Sequence, residues 1–478
     1  MRAWRELTAI ALEGIAKTAG DGDAQRRLLS EAAWHTLTRL AGRKTETFTA
    51  ATATEAPGEE LPLVSRAAAT RLEEILRSED REHLGEWLQL AAHTRKRVPP
   101  SLLPPLLERG EEKSDLRADI LATGGARVGW LAGQNEEWAY AAIADPQEAF
   151  KTGIRSARVA ALAVLRRQDP VAALATLADG WSREGGDNRA ALISVLAVGL
   201  GTADEPFLTE ATTDGREEVR ATAADLLARL PTSALIGRMV ARADSWINFK
   251  KGMLGAKFEV TPPTDCTPDM VADGIDPKPP NGIGERAHWL RQVVALVPPA
   301  RWSQEIFDPG IRSYWQEPLL VGWTEATVRF RDAAWCELLI EHYLGVKERY
   351  KIQGRLQSLV QATPKPTLEA LIERHLRKDP RSALELASRS TERCGPQISV
   401  ALVRGLEQVV PRRQAQQDYG LAGIARNLRQ QLDPAVLPDV IAAADRAVHA
   451  EAELASEAFQ GLAAALEYRA EMAKEIAT

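Results

Sequence analysis

The sequence predicts an all-α protein: a HEAT-like α-solenoid of two helical arrays, with an irregular Pro/Gly-rich insertion between them. Three observations carry this. Apolar residues make up 45% of the 478 residues, yet Tyr and Phe number only 6 and 8. Ala and Leu dominate instead, and both lose little side-chain freedom in a helix. Three segments between 150 and 243 repeat at one fixed period. Prolines recur where short helices would begin, a position at which their missing N–H costs nothing.

A chain of this length exceeds the usual single-core domain, so it divides or forms an elongated array. Residues 1–44 read as N-terminal helices. The first sets Trp4, Leu7, Ile10, Leu12 and Ile15 largely on one side, and the second runs from about Ala24 to Leu40. Residues 45–60 have low complexity, no periodic apolar face and a terminal Pro-Gly, which suits a flexible connection. Residues 61–149 form a helical region. Within it the prolines of Val98–Leu107 mark helix starts, Gly124, Gly125 and Gly129 interrupt the pattern, and a helix is expected to end near Asp145-Pro146.

The stretch 150–243 is the most informative. Arg158-Val-Ala-Ala-Leu-Ala-Val-Leu165, Arg189-Ala-Ala-Leu-Ile-Ser-Val-Leu196 and Arg220-Ala-Thr-Ala-Ala-Asp-Leu-Leu227 align at successive offsets of 31 residues. Leu177, Leu208 and Met239 fall in register in the second helix of each unit. Two helices and two turns fill such a period, the mark of a helical solenoid. In the third unit, Asp214 stands five residues before Val219-Arg220 and resembles the HEAT-repeat pattern; Asp214 is expected to cap a helix or bond across to an Arg. Thr152 and Arg183 hold the Asp position in the other two units. The Arg158/Arg189/Arg220 column has two readings: a groove-lining guanidinium ladder for acidic ligands, or an internal polar ladder between repeats. Stacking alone explains the spacing, which favours the second.

Residues 244–286 interrupt the array. From Phe249 to Gly284 there are six prolines and five glycines, and a loop this long is uncommon unless functional. Phe258-Glu-Val-Thr261 is expected to form a short strand. A second array is expected over 287–433, with helices starting at Pro366, Pro380 and Pro396. The segment 434–478 reads as a C-terminal helix with a narrow stripe of Val448, Ala452, Ala455, Phe459, Leu462 and Leu466, suited to a single neighbour.

Chemistry is harder to find. The net charge of −6 argues against a general nucleic-acid binder. Cys266, Cys336 and Cys394 are too scattered for a disulfide framework or zinc ribbon. The amphipathic N-terminus lacks a signal-peptide core, and no apolar run reaches membrane-spanning length, so a cytoplasmic location without membrane insertion is expected. Gly42-Arg-Lys-Thr45 is not a P-loop, Gly124–Gly129 does not fit a dinucleotide fingerprint, and no cofactor is expected. Cys336 and His342 lack two further ligands for a metal. No catalytic motif selects a nucleophile or base. Two features remain as candidate partner-binding sites. One is the basic segment 347–381, with nine Lys/Arg against four Asp/Glu and Arg374, Arg377, Lys378 and Arg381 at near-helical spacing. The other is the tryptophan cluster containing Trp302, Trp315 and Trp323, which could anchor a peptide or stack bases. Against these stand a solvated helix end and a bulky packed junction, both of which are favoured.

Several segments together resemble a bacterial family of unknown function. They are Val98–Leu107, Gly129-Trp-Leu-Ala-Gly-Gln-Asn-Glu-Glu-Trp138, Asp204-Glu-Pro-Phe-Leu208, and Gly284-Glu-Arg-Ala-His-Trp-Leu290 with Val297-Pro-Pro-Ala-Arg-Trp302. Members of that family are typically encoded beside a MoxR-type AAA+ ATPase, a von Willebrand factor A protein and a SWIM zinc-finger protein. The resemblance implies a part in an ATPase-centred assembly and carries over no catalytic residue. The expected function is therefore a protein-interaction scaffold or adaptor. A HEAT-like nucleic-acid-binding or DNA glycosylase-type protein with a basic, Trp-lined concave face is the alternative, disfavoured by charge. An unrecognised hydrolase would need a polar pocket with perturbed carboxylates.

Overall fold

The computed structural model describes residues 24–41, 55–78, 82–142, 145–252, 255–348, 351–409, 419–449 and 453–478. The expected first helix, with Trp4 to Ile15, and residues 45–54 of the expected connection lie outside them. The chain forms two compact units, Met1–Ala56 and Pro57–Thr478. In the first, helix α1 spans Ala24–Ala41, and the Thr36 and Thr38 hydroxyls donate to the Ala32 and Trp34 carbonyls one turn back.

The second unit is helical almost throughout. It opens with α2 (Arg66–Arg77), α3 (Leu84–His93), α4 (Leu103–Glu112), α5 (Arg117–Gly124) and α6 (Arg127–Ala132). Ser65 caps α2 by accepting the Ala68 N–H. Pro104 and Pro105 lie in the first turn of α4, as the paired prolines predict. The dipeptide Asp145-Pro146 differs from expectation: it starts a helix, α7 (Pro146–Thr152), instead of ending one. The Asp145 carboxylate accepts the Gln147 and Glu148 N–H groups while proline fills the first helical position. Asp169-Pro170 repeats the device with Val171 and Ala172.

The 31-residue period becomes three stacked helical hairpins: α8 (Arg155–Gln168) with α9 (Pro170–Gly180), α10 (Gly186–Ser194) with α11 (Glu205–Ala211), and α12 (Glu217–Leu227) with α13 (Ala234–Trp246). Helices α8, α10 and α12 pack side by side in one layer. The arginine column is an internal ladder. Arg158 pairs with Glu184 and donates to the Phe150 carbonyl at 2.8 Å. Arg189 donates to the Glu184 carbonyl at 2.9 Å and pairs with Asp214 at 2.8 Å. Arg220 donates to the Asp214 carbonyl at 2.7 Å. Asp214 thus bonds across to the preceding unit. The guanidinium of Arg158 holds the Glu184 carboxyl below the usual carboxylate range, against the opposing effect of burial.

A second, unrepeated arginine ties the first two hairpins more tightly. Arg166 is fully buried. Its guanidinium donates to both Asp204 oxygens, at 2.7 and 2.9 Å. It also reaches the Pro170, Leu196, Val198 and Gly199 carbonyls. Asp204 in turn accepts the Gly201 N–H at 2.9 Å.

The described residues of the insertion are anchored by specific contacts. Strands β1 (Ile247–Gly252) and β2 (Gly255–Val260) form an antiparallel ribbon with Phe249 opposite Phe258, so the expected strand is half of a hairpin. A short helix, α14 (Pro268–Ala272), follows. Asp273 takes ion pairs from Arg238 and Arg242 of α13 at 2.7 and 2.5 Å. Arg286 donates to the Pro262 carbonyl, and Gln292 accepts the Asp276 N–H. The layered packing then resumes with α15 (Glu285–Val294), α16 (Phe307–Ile311), α17 (Gln316–Phe330), α18 (Ala333–Leu344), α19 (Gln353–Ala362), α20 (Lys365–Lys378), α21 (Pro380–Arg389), α22 (Pro396–Val409) and α23 (Tyr419–Gln431). Helix α15 packs on α13 as well as on α17, and one apolar core runs unbroken from Phe150 to Leu466. The α15–α17 crossing is close because Gly322 sits in it: a Cβ there would stand 2.9 Å from the Arg291 carbonyl oxygen.

The C-terminal segment holds two helices, α24 (Leu437–His449) and α25 (Glu453–Ala477). Val448 belongs to α24 and is exposed, whereas Ala455, Phe459, Leu462 and Leu466 of the expected stripe are buried; Ala452 lies outside the described residues. Burial of side chains this size contributes about 1.5–3 kcal/mol each. Helix α25 has two neighbourhoods rather than one. It packs on α23 and α24, and its far end enters the core of α2 and α3 through Met472 and Ile476. Arg469, fully buried, donates to Glu86 of α3 at 2.9 Å, while Arg71 of α2 forks onto Glu475 at 2.5 and 2.7 Å. The run of packed helices therefore closes on its own beginning. Among the described residues no helix is long and apolar enough to cross a membrane.

Candidate binding cavity

Helix α12 and helices α15, α17 and α19 surround a cavity of about 1090 Å³. Its walls come from α12, α15, α17 and α19, and the end of the insertion, Gly282–Gly284, forms one rim. Gly282 adopts φ +85°, a left-handed conformation that glycine takes without cost. Glu317, Val321, Thr324, Glu325 and Val328 share one face of α17 by helical spacing, and all line the cavity. Apolar side chains of Ile283, Ala287, Pro318, Val321 and Val328 alternate with charged ones. A smaller hollow of about 250 Å³ continues past Val328 and Ser358 to Arg331, Gln361 and Ala362. Arg331, at φ +53°, ends α17 and bends the chain there.

The charged lining consists of four arginines and three carboxylates. Arg291 pairs with Glu325 at 2.5 Å and Arg355 with Glu317 at 2.5 Å. Asp225 serves two arginines, Arg229 at 2.5 Å in the turn that follows α12 and Arg329 of α17 at 3.3 Å. The Nε of Arg329 is buried and makes no hydrogen bond among the described residues. Behind the wall, the Thr324 hydroxyl bonds the Leu320 carbonyl and lies 2.9 Å from the Tyr343 hydroxyl; burial pushes the Tyr343 phenol up. Among the described residues no histidine or cysteine lines the cavity. The lining offers charged pairs, two hydroxyls and apolar surface.

The residues singled out by sequence lie elsewhere. Arg374 is occupied by Glu337 and Glu341, at 2.7 and 2.8 Å. Arg377, Lys378 and Arg381 are exposed at the α20–α21 turn, away from the cavity lining. Trp323 is a core residue with no exposed surface, packed between Phe307 and Trp335, so it has no surface to offer a partner. The large apolar ring gains most from filling the junction between helices. Trp302 is partly buried and packs against the same core. Trp315, two residues before Glu317 of the cavity wall, is partly buried under the Arg286 guanidinium, 5.7 Å from its ring centre. Cys336 is buried and His342 stacks edge-on to Phe307; among the described residues no three His, Cys, Asp or Glu side chains cluster as metal ligands.

Residues 3–476 match the model of a family of unknown function, DUF5691. The chain belongs to that family. The match takes in every element above, including the Asp204 segment that receives Arg166 and the Gly284–Leu290 segment that walls the cavity. No curated protein and no solved structure matches the chain. Membership in the DUF5691 family thus takes in nearly the whole chain and assigns it no chemistry.

Proposed function

We propose that this DUF5691 chain is a protein-interaction scaffold or adaptor acting in the cytoplasm, with HEAT-like repeats supplying its surface. The single observation that carries this reading is the cavity between α12 and α17. It is large, half apolar, and lined by arginine–carboxylate pairs without a catalytic constellation. Solenoid-like stacks offer such faces for binding extended partners, and mixed charge confers specificity more than raw affinity. The 31-residue period and the inter-repeat arginine ladder support the HEAT-like reading.

The resemblance to chains encoded beside MoxR-type AAA+ ATPases suggests the partner: that ATPase or its von Willebrand factor A companion. Co-purification of the tagged full chain with each candidate, with and without MgATP, tests it. A stoichiometric complex with either is expected. Failure to form one with any candidate, in either nucleotide state, would remove the adaptor role in this assembly. Nucleic acid is a poorer fit, because every cavity arginine faces a carboxylate; no binding to duplex DNA at low salt is expected.

A further inference from the structure

The charges in the cavity do not balance locally. Arg291 and Arg355 each have a carboxylate of their own, but Asp225 is shared between Arg229 and Arg329. The contact to Arg329 is the longer, at 3.3 Å, through Nη1 alone. Arg329 has one quarter of its side chain exposed, and its Nε donor is buried without a hydrogen bond. A guanidinium binds carboxylate most strongly as a two-pronged fork, and this fork is engaged on one prong only. Two arginines competing for one carboxylate leave the capacity to bind one more.

The surroundings limit what can supply it. The cavity volume, about 1090 Å³, lies just above the roughly 300–1,000 Å³ typical of small-molecule sites, and the adjoining hollow lengthens the path past Val328 toward Gln361. A lone inorganic anion would fill little of this space and would leave Ile283, Val321 and Val328 uncovered. A peptide would bring apolar side chains to these residues and a carboxylate to Arg329.

We infer that the cavity is a docking site for an acidic–apolar peptide segment of a partner protein, whose Asp or Glu carboxylate completes the fork of Arg329 in competition with Asp225. This rests on the scaffold reading above and names the chemistry of the segment recognised. Asp225 acts as the internal competitor: it holds Arg329 and Arg229 in place until the incoming carboxylate takes over part of their bonding.

The test selects a randomised 12-residue peptide display library on the full chain, then measures the enriched peptide by fluorescence polarisation. Enriched sequences should carry an Asp or Glu next to an apolar residue. Arg329→Gln should weaken binding at least tenfold, Arg329→Lys by less, and Asp225→Asn should tighten it several-fold. The opposite signs of the last and first variants separate ligand competition from a general loss of structure, and circular dichroism of each variant confirms that it folds. No enrichment on the natural chain, enrichment without acidic residues, or equal affinity for all variants overturns the proposal. So does displacement of the peptide by inorganic phosphate at equal concentration, which would make this a small-anion site. The same variants are carried into the ATPase co-purification. A partner retained equally by Arg329→Gln leaves the scaffold reading standing and this inference refuted, whereas no partner with the natural chain removes the scaffold reading itself.

Discussion

Arg166–Asp204 and Arg329–Asp225 are the same chemical pair put to opposite uses. At Arg166 the guanidinium and carboxylate are 0% and 2% exposed, and every guanidinium nitrogen has an acceptor. At Arg329 the pair is 25% and 46% exposed, the carboxylate is shared, and one donor has no acceptor. Burying an ion pair costs several kcal/mol per charge and is tolerated only when the remaining donors are satisfied. The backbone carbonyls of Pro170, Leu196, Val198 and Gly199 satisfy that condition around Arg166. The result is a rigid joint between two hairpins. Around Arg329 the condition is unmet at the buried Nε, while the exposure of the rest of the pair lowers the cost of the charges themselves. A completed network locks structure; an incomplete one at a cavity wall leaves bonding capacity for something else.

The largest expected effect comes from breaking the completed network. Asp204→Ala strands a buried guanidinium and should cost about 3–5 kcal/mol, read as a shift in the urea midpoint at unchanged slope. Arg166→Met strands the Asp204 carboxylate and four carbonyls in turn and should cost a similar amount, whereas the double variant Arg166→Met/Asp204→Asn, which leaves no buried charge, should cost clearly less than the two single losses added together. Additive losses would mean that shape, and not charge satisfaction, dominates the joint.

Closure of the helix stack should come next. Burial alone would raise the Glu86 carboxyl, but His83, Arg469 and Arg393 together hold it below the usual carboxylate range. A carboxylate depressed in the folded state stabilises the fold fully above its unfolded value, near 4.3, and loses that contribution as pH falls through the folded value. Glu86→Gln should therefore lower stability at pH 7 and flatten the decline in acid, measured by thermal unfolding between pH 3 and 7. Hydrogen exchange should show the loss first in α25 and α3, the two helices that Arg469 and Glu86 join. An unchanged acid slope would show that closure does not depend on this carboxylate.

These two joints differ in how far the sequence reveals them. The ladder of Arg158, Arg189 and Arg220 is legible because it repeats at the same offset as the apolar positions around it. Arg166 is invisible by that criterion: the equivalent positions are Ala197 and Ala228, so periodicity marks it as an ordinary helix-end charge. Its partner, 38 residues away, is fixed only when the hairpins stack. The cavity is harder still, since Asp225 and Arg329 lie 104 residues apart and meet only in the folded chain. Tryptophan enrichment in 289–335 correctly marks a place where much apolar area is packed, but composition does not say whether a ring faces solvent. Trp323 fills the core and Trp315 stays near the rim. The Asp-Pro pairs carry a similar ambiguity. At 145–146 an expected helix end is a helix start, because a carboxylate that could close one segment also caps the next.

A smaller effect is expected at the α15–α17 crossing, which sets the width of the cavity. Gly322→Ala would push a methyl group against Val294 and the Arg291 carbonyl, and overpacking of this kind costs about 1–3 kcal/mol. Because Arg291 and Glu325 ride on the two helices, the same change should alter the cavity wall. A crystal structure of the variant should show α15 displaced from α17; a superimposable crossing with unchanged stability would mean the two helices have slack that the close approach does not suggest.

The smallest effect on stability should come from the cavity pairs, and this sharpens the comparison most. A double-mutant cycle on Arg329→Gln and Asp225→Asn should give a coupling below about 1 kcal/mol, as for solvent-exposed pairs in general, and about 0.5 M salt should erase most of it, since the screening length is then only a few ångströms. The equivalent cycle on Arg166→Met and Asp204→Asn should give a coupling several times larger that salt leaves almost unchanged, because solvent ions do not reach a fully buried pair. If both couplings were equally salt-sensitive, Arg166 would be reachable by solvent ions in solution. The distinction between a locked joint and an open fork would then lose its physical basis. If neither responded to salt, the fork at Arg329 would be closed by protein alone, leaving no capacity for an incoming carboxylate.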